Sequence, residues 1–276
     1  MVSIVTTESE VKTICHSYGV TDLRSILGNV KVIVADNIKA LQQISPLDIV
    51  LTRTKKKWLV DALRGISCKH VIGENSIAYS YDINKEKLKE LLRKHNVSTP
   101  KSYSLETLPV EPFDVFVKPL SLGDSIGIDE KSRCHTISEV VAKLSSIKHY
   151  GESIIEDYIQ GYDVTVGVVR QEGVYLSSSL EIIAPNGILD NEVKINNRER
   201  YRGKEDILIE DLAVKVFKIT GGNGYARIDI RIREDGMPFV LEINFCPGLS
   251  RDGYMYNAFR TKGYTYVDFV EMIMNT

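Results

Sequence analysis

The sequence predicts a mixed α/β fold, with a small parallel βαβ unit ahead of a larger part built on antiparallel strands. Three observations carry this prediction. The first stretch, roughly 80 residues long, alternates short apolar runs with helical segments. Near the C-terminus two alternating arms flank Asp235-Gly236, a strong short hairpin signal. The 276 residues, 43% hydrophobic, suffice for a sizeable buried core in one large or two to three small units.

In chain order, Val2–Thr6, Val30–Ala35 and Asp48–Thr52 read as buried strands. The stretches after Glu8, Asn37 and Lys57 read as helices, and together these segments give a small parallel sheet without a Gly-rich fingerprint. The cluster Lys55-Lys56-Lys57-Trp58 reads as a solvated helix start. A helix over Lys85–Asn96 places Leu88, Leu91 and Leu92 on one face and ends at Asn96 and Thr99-Pro100. A strand over Asp114–Lys118 is followed by a polar loop, Pro119–Gly127, and by a helix capped at Ser138 and running to His149. Strands over Ser153–Tyr158 and Asp163–Arg170 flank a turn at Gln160-Gly161. Residues 184–204, with Asn186-Gly187 and the run Asn196–Arg202, read as a long mobile loop, and such loops are usually functional. A helix over 206–219 leads into the hairpin, and a last helix closes the chain.

Composition narrows the function classes. A net charge of −2 offers no strong positive field for a nucleic-acid backbone. No apolar run approaches the ~18 residues of a membrane helix. The start, Met1–Thr7, reads as a first strand and not as a signal peptide. Four cysteines, Cys15, Cys68, Cys134 and Cys246, stand singly without zinc or redox spacing, which suits free thiols in the cytoplasm. The five histidines are dispersed. The sequence shows neither a metal-type His cluster nor a Ser/His/Asp arrangement.

The hairpin arms are Tyr225–Arg233 and Pro238–Asn244. In the first arm Ile228, Ile230 and Ile232 share one face, and Arg227, Asp229 and Arg231 the other. A two-residue turn at Asp235-Gly236 would pair Ile228 with Ile243, Ile230 with Leu241 and Ile232 with Phe239. It would also set Asp229 opposite Glu242 and Arg227 opposite Asn244; a loop of odd length would shift this register. Two carboxylates facing across a strand pair repel unless a cation lies between them. Two carboxylates and an amide suit Mg²⁺ or Mn²⁺. A solvated sheet face, with Arg227 and Arg231 neutralising the acids, fits the same spacing.

Two other segments suit a nucleotide. Lys118 stands at a strand end ahead of Ser121-Leu-Gly-Asp-Ser-Ile-Gly127, where a lysine can meet phosphate and flexible glycines let backbone N–H groups turn toward an anion. The segment Ile154–Ile159 passes from a strand into a turn that exposes backbone groups to the edge of an adenine, with Asp163 in reach of ribose hydroxyls. A plain surface loop and an ordinary turn are the simpler alternatives.

The order of these pieces resembles the ATP-grasp superfamily, and within it the D-alanine–D-alanine ligase branch. The resemblance runs from Asp48 to the C-terminus and is most specific at Ala226-Arg-Ile-Asp229 and Leu241-Glu-Ile-Asn-Phe-Cys-Pro-Gly248. It implies an N-terminal α/β domain over 1–80, a central subdomain over 81–163 and a C-terminal subdomain over 164–276. It implies that Lys85 and Lys118 contact the nucleotide, with Asp124 and Ser125 in the phosphate loop. Glu156 and Ile159 match the adenine hinge, Asp163 the ribose contact, and Lys194 a lysine of a mobile loop over the γ-phosphate. Asp229, Glu242 and Asn244 match magnesium ligands, and Arg227 the arginine that stabilises the transition state. The implied activity joins a small-molecule carboxylate to an amine through an acyl phosphate, with ATP and Mg²⁺ (Mn²⁺ as the alternative) as cofactors. Neither nucleic acid nor membrane is an implied partner. Related ligases are commonly dimers, which leaves a homodimer open.

Departures fall where substrate would bind. The branch carries a Gly-Gly-x-Ser-x-Glu turn and a His-Gly…Gly-Glu-Asp-Gly stretch in its first domain. Here stand Thr6-Thr-Glu-Ser-Glu10 and Leu51-Thr-Arg-Thr-Lys55. The tyrosine after the loop lysine is Ile195, and a serine beyond the Pro-Gly aligns with Gly253. These departures lead to the expectation that the enzyme does not make D-alanyl-D-alanine. A true D-alanine–D-alanine ligase with a shortened first domain is the nearest alternative. An ATP-binding protein without ligase turnover is the alternative from another class.

Overall fold

A computed structural model describes residues 1–10, 19–185, 187–196 and 198–276. Cys15 and most of the helix expected after Glu8 lie outside the described residues, as do Asn186 and Asn197.

The described residues form three sheets. The first contains β1 (Val2–Thr6), β2 (Val30–Val34), β3 (Ile49–Thr52) and β4 (His70–Ile72) in the order β2-β1-β3-β4. All its pairings are parallel, as the apolar runs predict. The strand β4 is a three-residue addition that periodicity does not reveal. Helices α1 (Val20–Leu27) and α2 (Lys57–Arg64) belong to this unit. The stretch after Asn37 forms a 3₁₀ helix, Ile38–Gln43, capped by the Asn37 side chain. The Lys57–Asp61 pair at the start of α2 is exposed, as a solvated helix start should be.

Helices α3 (Ser76–Asp82) and α4 (Lys85–Lys94) lead to the second sheet. It consists of β5 (Ser102–Tyr103), β6 (Val115–Pro119), β7 (Arg133–Cys134) and β8 (Ser153–Asp157), ordered β5-β8-β6-β7 and antiparallel. The buried face of α4 carries Lys85, Leu88, Lys89 and Leu92, so Lys89 takes the place expected of Leu91. Helix α5 (Ile137–Ile147) is capped by Thr136, not Ser138. Thr136 and Glu139 form a reciprocal capping box, which satisfies two helix-start amides where a cap one turn inside could not.

The third sheet is the largest: β9 (Gly161–Gln171), β10 (Val174–Ile183), β11 (Arg200–Gly203), β12 (Tyr225–Arg233) and β13 (Pro238–Asn244), ordered β11-β10-β9-β12-β13 and antiparallel. Segment 184–204 is therefore only partly a loop, since α6 (Asn191–Ile195) and β11 lie within it. One face of the sheet packs Val164, Val166, Val168, Ile228, Ile230, Val240 and Ile243 against Leu88 and Leu92 of α4 and against α7 (Ile207–Ile219). Two closing helices, α8 (Tyr254–Thr261) and α9 (Tyr266–Met274), join Val169 and Tyr225 to Ile4 and Leu51 of the first sheet. Arg53 fixes the first sheet at the same seam: it donates to Tyr225 Oη at 3.0 Å and to the Pro247 carbonyl at 2.6 Å.

The hairpin register departs from the two-residue turn. Arg233 N–H donates to Met237 O and Gly236 N–H to Arg233 O, both at 2.9 Å, so the loop spans three residues, with Gly236 left-handed at φ 86°. The odd loop shifts the distal pairs to Ile230–Val240, Arg231–Phe239 and Ile232–Pro238. A bulge then restores the register, and Asp229–Glu242, Ile228–Ile243 and Arg227–Asn244 pair as predicted. The extra residue is Leu241. The bulge buries Val240 in the core and lets Leu241 and Glu242 both line the cleft.

Candidate active site

A cleft runs between the second and third sheets. Its lining brings together Lys85, Lys118, Ser125, Glu156, Ile159, Asp163, Lys194, Asp229 and Glu242, gathered from seven parts of the sequence.

One end is walled by the hinge after β8. Glu156 is paired across the sheet with Phe116, and its carboxylate lies 2.6 Å from Lys118 Nζ and 2.9 Å from Lys89 Nζ. All three side chains are buried. Burial alone would raise the Glu156 carboxyl, but Lys118 and Lys89 outweigh it and hold the group at about 2. Burial pulls the Lys89 ammonium below its ordinary value. The Lys118 ammonium is raised, because Glu156 and Glu242 outweigh its own desolvation. Asp163, in β9, is the register partner of Arg231 and pairs with it at 2.9 Å. Burial raises the Asp163 carboxyl in spite of that pair.

The middle of the cleft is cationic. Lys85, the first residue of α4, donates to the Leu122 carbonyl at 2.6 Å and stands 3.5 Å from Glu242 Oε2. It thereby pins the loop after β6. In that loop Asp124 and Ser125 are both left-handed, at φ 54° and 56°. Ser125 Oγ donates to Leu189 O at 2.6 Å, and Asn191 Nδ2 to Asp124 O at 3.1 Å. The phosphate-loop candidates are thus tied to the segment that carries Lys194. Asp190 caps the five-residue α6, and Lys194 Nζ lies 5.7 Å from the centre of the Tyr254 ring.

The far end is built by β12 and β13. Arg227 grips Asp229 with two bonds, Nε to Oδ1 at 3.0 Å and Nη2 to Oδ2 at 2.9 Å. Its guanidinium also lies 5.5 Å from the Tyr254 ring centre. Thr165 Oγ1 donates to Asp229 Oδ1 at 2.6 Å. Asn244 Nδ2 lies 3.1 Å from Asp229 Oδ2 and 3.4 Å from Glu242 Oε1, so the amide bridges the two carboxylates. Burial opposes the ionisation of Glu242, but Lys85, Lys118, Arg227 and Lys194 hold its carboxyl well below the usual carboxylate range.

This donor set fits a hard divalent cation. It offers two carboxylates and an amide on one patch of sheet, and flipping the Asn244 amide presents oxygen in place of nitrogen. Among the described residues no group of three or more His, Cys, Asp or Glu could hold a metal. A cation bound by the two acids would therefore take further ligands from phosphate and water, as Mg²⁺ commonly does.

Every candidate site residue named from the sequence except Asp124, Asn244 and Arg227 lines the cleft; Asn244 and Arg227 bond Asp229, which does, and Asp124 directly precedes the lining residue Ser125. Sequence reasoning missed Lys89, whose signal was its position four residues after Lys85 on one helical face. It also gave Arg231 only a neutralising role, although this residue alternates with Arg227 and Asp229 on the same strand face.

The chain is similar to several known proteins. The family described as D-ala D-ala ligase C-terminus matches residues 77–275. The D-alanine–D-alanine ligase B of Clostridium perfringens is 27% identical over 264 residues, covering 89% of this chain and 86% of that protein. The D-alanine–D-alanine ligase of Aquifex aeolicus is 26% identical over 213 residues, covering 73% of this chain and 72% of its own. The crystal structure of the Bacillus anthracis D-alanine–D-alanine ligase complexed with ATP superposes with a TM-score of 0.78 at 17% identity, covering 100% of this chain and 96% of that one.

Proposed function

Because the chain belongs to the D-alanine–D-alanine ligase family, whose members are ATP-dependent ligases that form C–N bonds, we propose that it joins a small-molecule carboxylate to an amine through an acyl phosphate. The observation that carries this reading is the single face of β12 and β13. It places Arg227, Asp229, Glu242 and Asn244 at one end of a cleft whose other end is the hinge over Glu156–Ile159 and Asp163.

The chemistry follows from charge. The hinge and Asp163 receive the nucleoside, and Lys85, Lys118 and Lys194 meet the triphosphate. When bound at Asp229, Glu242 and Asn244, Mg²⁺ (or Mn²⁺) neutralises phosphate charge. A substrate carboxylate oxygen then attacks the γ-phosphorus in line, and the bond to ADP breaks. The amine attacks the acyl carbon, inorganic phosphate leaves, and the nitrogen loses a proton. Arg227, fixed on a strand, faces the oxyanion of that addition. Segment 187–194, tied to the phosphate loop through Ser125 and Asn191, covers the site and keeps water from the acyl phosphate. The three described cysteines are free, which suits a cytoplasmic setting.

The substrate pair is where this chain departs from its relatives. Gly253 caps α8 with no side chain, and a Cβ there would lie 3.1 Å from the Ser250 carbonyl oxygen. Thr54 and the Lys55 amide bind Glu10 at the end of β3. We infer that the enzyme does not form D-alanyl-D-alanine. The test is ADP release against a panel of amino acids and other carboxylates, each with and without amine acceptors. Turnover that requires both partners supports the ligase reading. Robust ADP release with D-alanine as sole substrate would refute the specificity inference, and ATP binding without turnover on any panel would refute the ligase reading.

A further inference from the structure

Arg231 is buried, and its guanidinium gathers the whole nucleoside end of the cleft. Nε donates to the Ile159 carbonyl at 2.6 Å. Nη2 lies 3.0 Å from Tyr158 Oη, 3.1 Å from Gly161 O and 3.2 Å from Gly187 O. Nη1 stands 2.9 Å from Asp163 Oδ2. One cation thus bonds the hinge, the ribose-facing acid and the segment that leads into Lys194. No other side chain among the described residues bonds all three.

We propose that Arg231 is a positioning residue for nucleotide recognition: it aims the Asp163 carboxylate at the sugar hydroxyls and fixes Gly187, and with it the approach of Lys194, to the same nucleoside. The planar fork suits this task, because its five N–H donors lie in one rigid plane while a lysine offers a single point charge. The ion pair occupies Oδ2, and no described residue donates a hydrogen bond to Asp163 Oδ1. That oxygen is the acceptor assigned to a ribose hydroxyl. Arg231 also takes the Ile159 carbonyl, so an adenine edge meets the hinge through its remaining backbone groups. The inference rests on the ATP-dependent reading given above and adds to it the residue that sets the Asp163 contact and couples it to the Lys194 segment.

The experiment is calorimetric binding of a non-hydrolysable ATP analogue and of its 2′-deoxy counterpart to the full chain, with Mg²⁺ and without carboxylate or amine. The wild type should bind the ribose form about tenfold more tightly, the size expected for a hydrogen bond to a charged acceptor. Arg231→Met should weaken the ribose form about tenfold and bring the two nucleotides within about twofold of each other. Arg231→Lys keeps the charge but not the fork, and should also lose most of the discrimination. Melting curves of both variants show whether they remain folded, and Asp163→Asn gives the same comparison with Arg231 intact. Equal binding of the two nucleotides by the wild type, or retained discrimination in folded Arg231→Met, would overturn the assignment. No nucleotide binding at all in the wild type would instead overturn the ATP-dependent reading.

Discussion

Replacing Lys89 by methionine tests the hinge most directly. Lys89 is completely buried. Its ammonium lies 2.9 Å from Glu156 Oε2, 2.9 Å from the Pro100 carbonyl and 3.2 Å from Thr99 Oγ1. Removing one partner of a buried pair costs about 3–5 kcal/mol, because the other charge is left uncompensated. Two features reduce this figure. Lys118 remains 2.6 Å from the other Glu156 oxygen, and methionine refills most of the side-chain volume. We therefore expect a loss of about 2–3 kcal/mol, or a fall in Tm of about 5–10 °C for a chain of this length. The KM for ATP should rise about tenfold as Glu156 draws Lys118 away from the phosphates. Scanning calorimetry and ADP-release kinetics measure the two effects. The double variant Lys89→Met/Glu156→Gln should lose less stability than the two single variants summed. A Tm within about 1 °C of wild type together with an unchanged KM would refute the assignment of Lys89 to the nucleotide end.

Four further outcomes are expected. Asp229→Ala or Glu242→Ala should abolish magnesium-dependent ADP formation while the circular dichroism of the fold is kept, and unchanged turnover would sink the metal assignment. The Glu156 carboxyl is held at about 2 against an ordinary 4.5, so it contributes stability above pH 4.5 and loses it as the pH falls toward 2. Glu156→Gln should flatten acid unfolding across that window, and an unaltered acid limb would contradict the pairing. Arg227→Met removes a cation bonded to Asp229, so Mn²⁺ titration without nucleotide should show tighter binding, while ADP formation falls about 100-fold or more. Gly161→Ala would drive a Cβ onto the Ile232 carbonyl oxygen and should cost about 2–3 kcal/mol in urea unfolding; a neutral effect would argue against the close β9–β12 approach at the hinge.

The parts of this fold that are legible in the sequence are those set by local periodicity. Apolar runs gave the parallel sheet, and alternation along Tyr225–Arg233 placed Arg227, Asp229 and Arg231 on one face. The hairpin shows where that signal stops. Asp235-Gly236 marks the turn, but loop length and a compensating bulge are decided by strand twist and core packing, so Leu241 left the predicted face for the cleft. Lys89 was hidden for a related reason. A lysine on an otherwise apolar helical stripe reads as solvated unless its buried acid is known, and Glu156 lies 67 positions away in the sequence. The short β11 was hidden because its four residues are all exposed, so it carries no apolar pattern.

The pairings also divide the cleft into two electrostatic regimes. At the hinge, Lys89, Lys118 and Glu156 are each less than a tenth exposed. At the phosphate end Lys85 and Arg227 are equally buried, but the acids are not: Asp229 is 23% and Glu242 22% exposed. A triphosphate arriving with a divalent cation can therefore exchange partners there. On the proposed reading, Lys85 and Arg227 would turn from carboxylate to phosphate or acyl oxygen, while Asp229 and Glu242 would turn from ammonium and guanidinium to metal. No charge need be stripped of all partners during that exchange, which spares the several kcal/mol per ion that isolated burial would cost. At the hinge Glu156 already has two buried ammoniums, Lys89 and Lys118, so its charge calls for no incoming cation. On the proposed reading, the nucleoside end would be set in advance and the phosphate end left to reorganise, which is the order a ligase needs if it is to hold ATP before its carboxylate arrives.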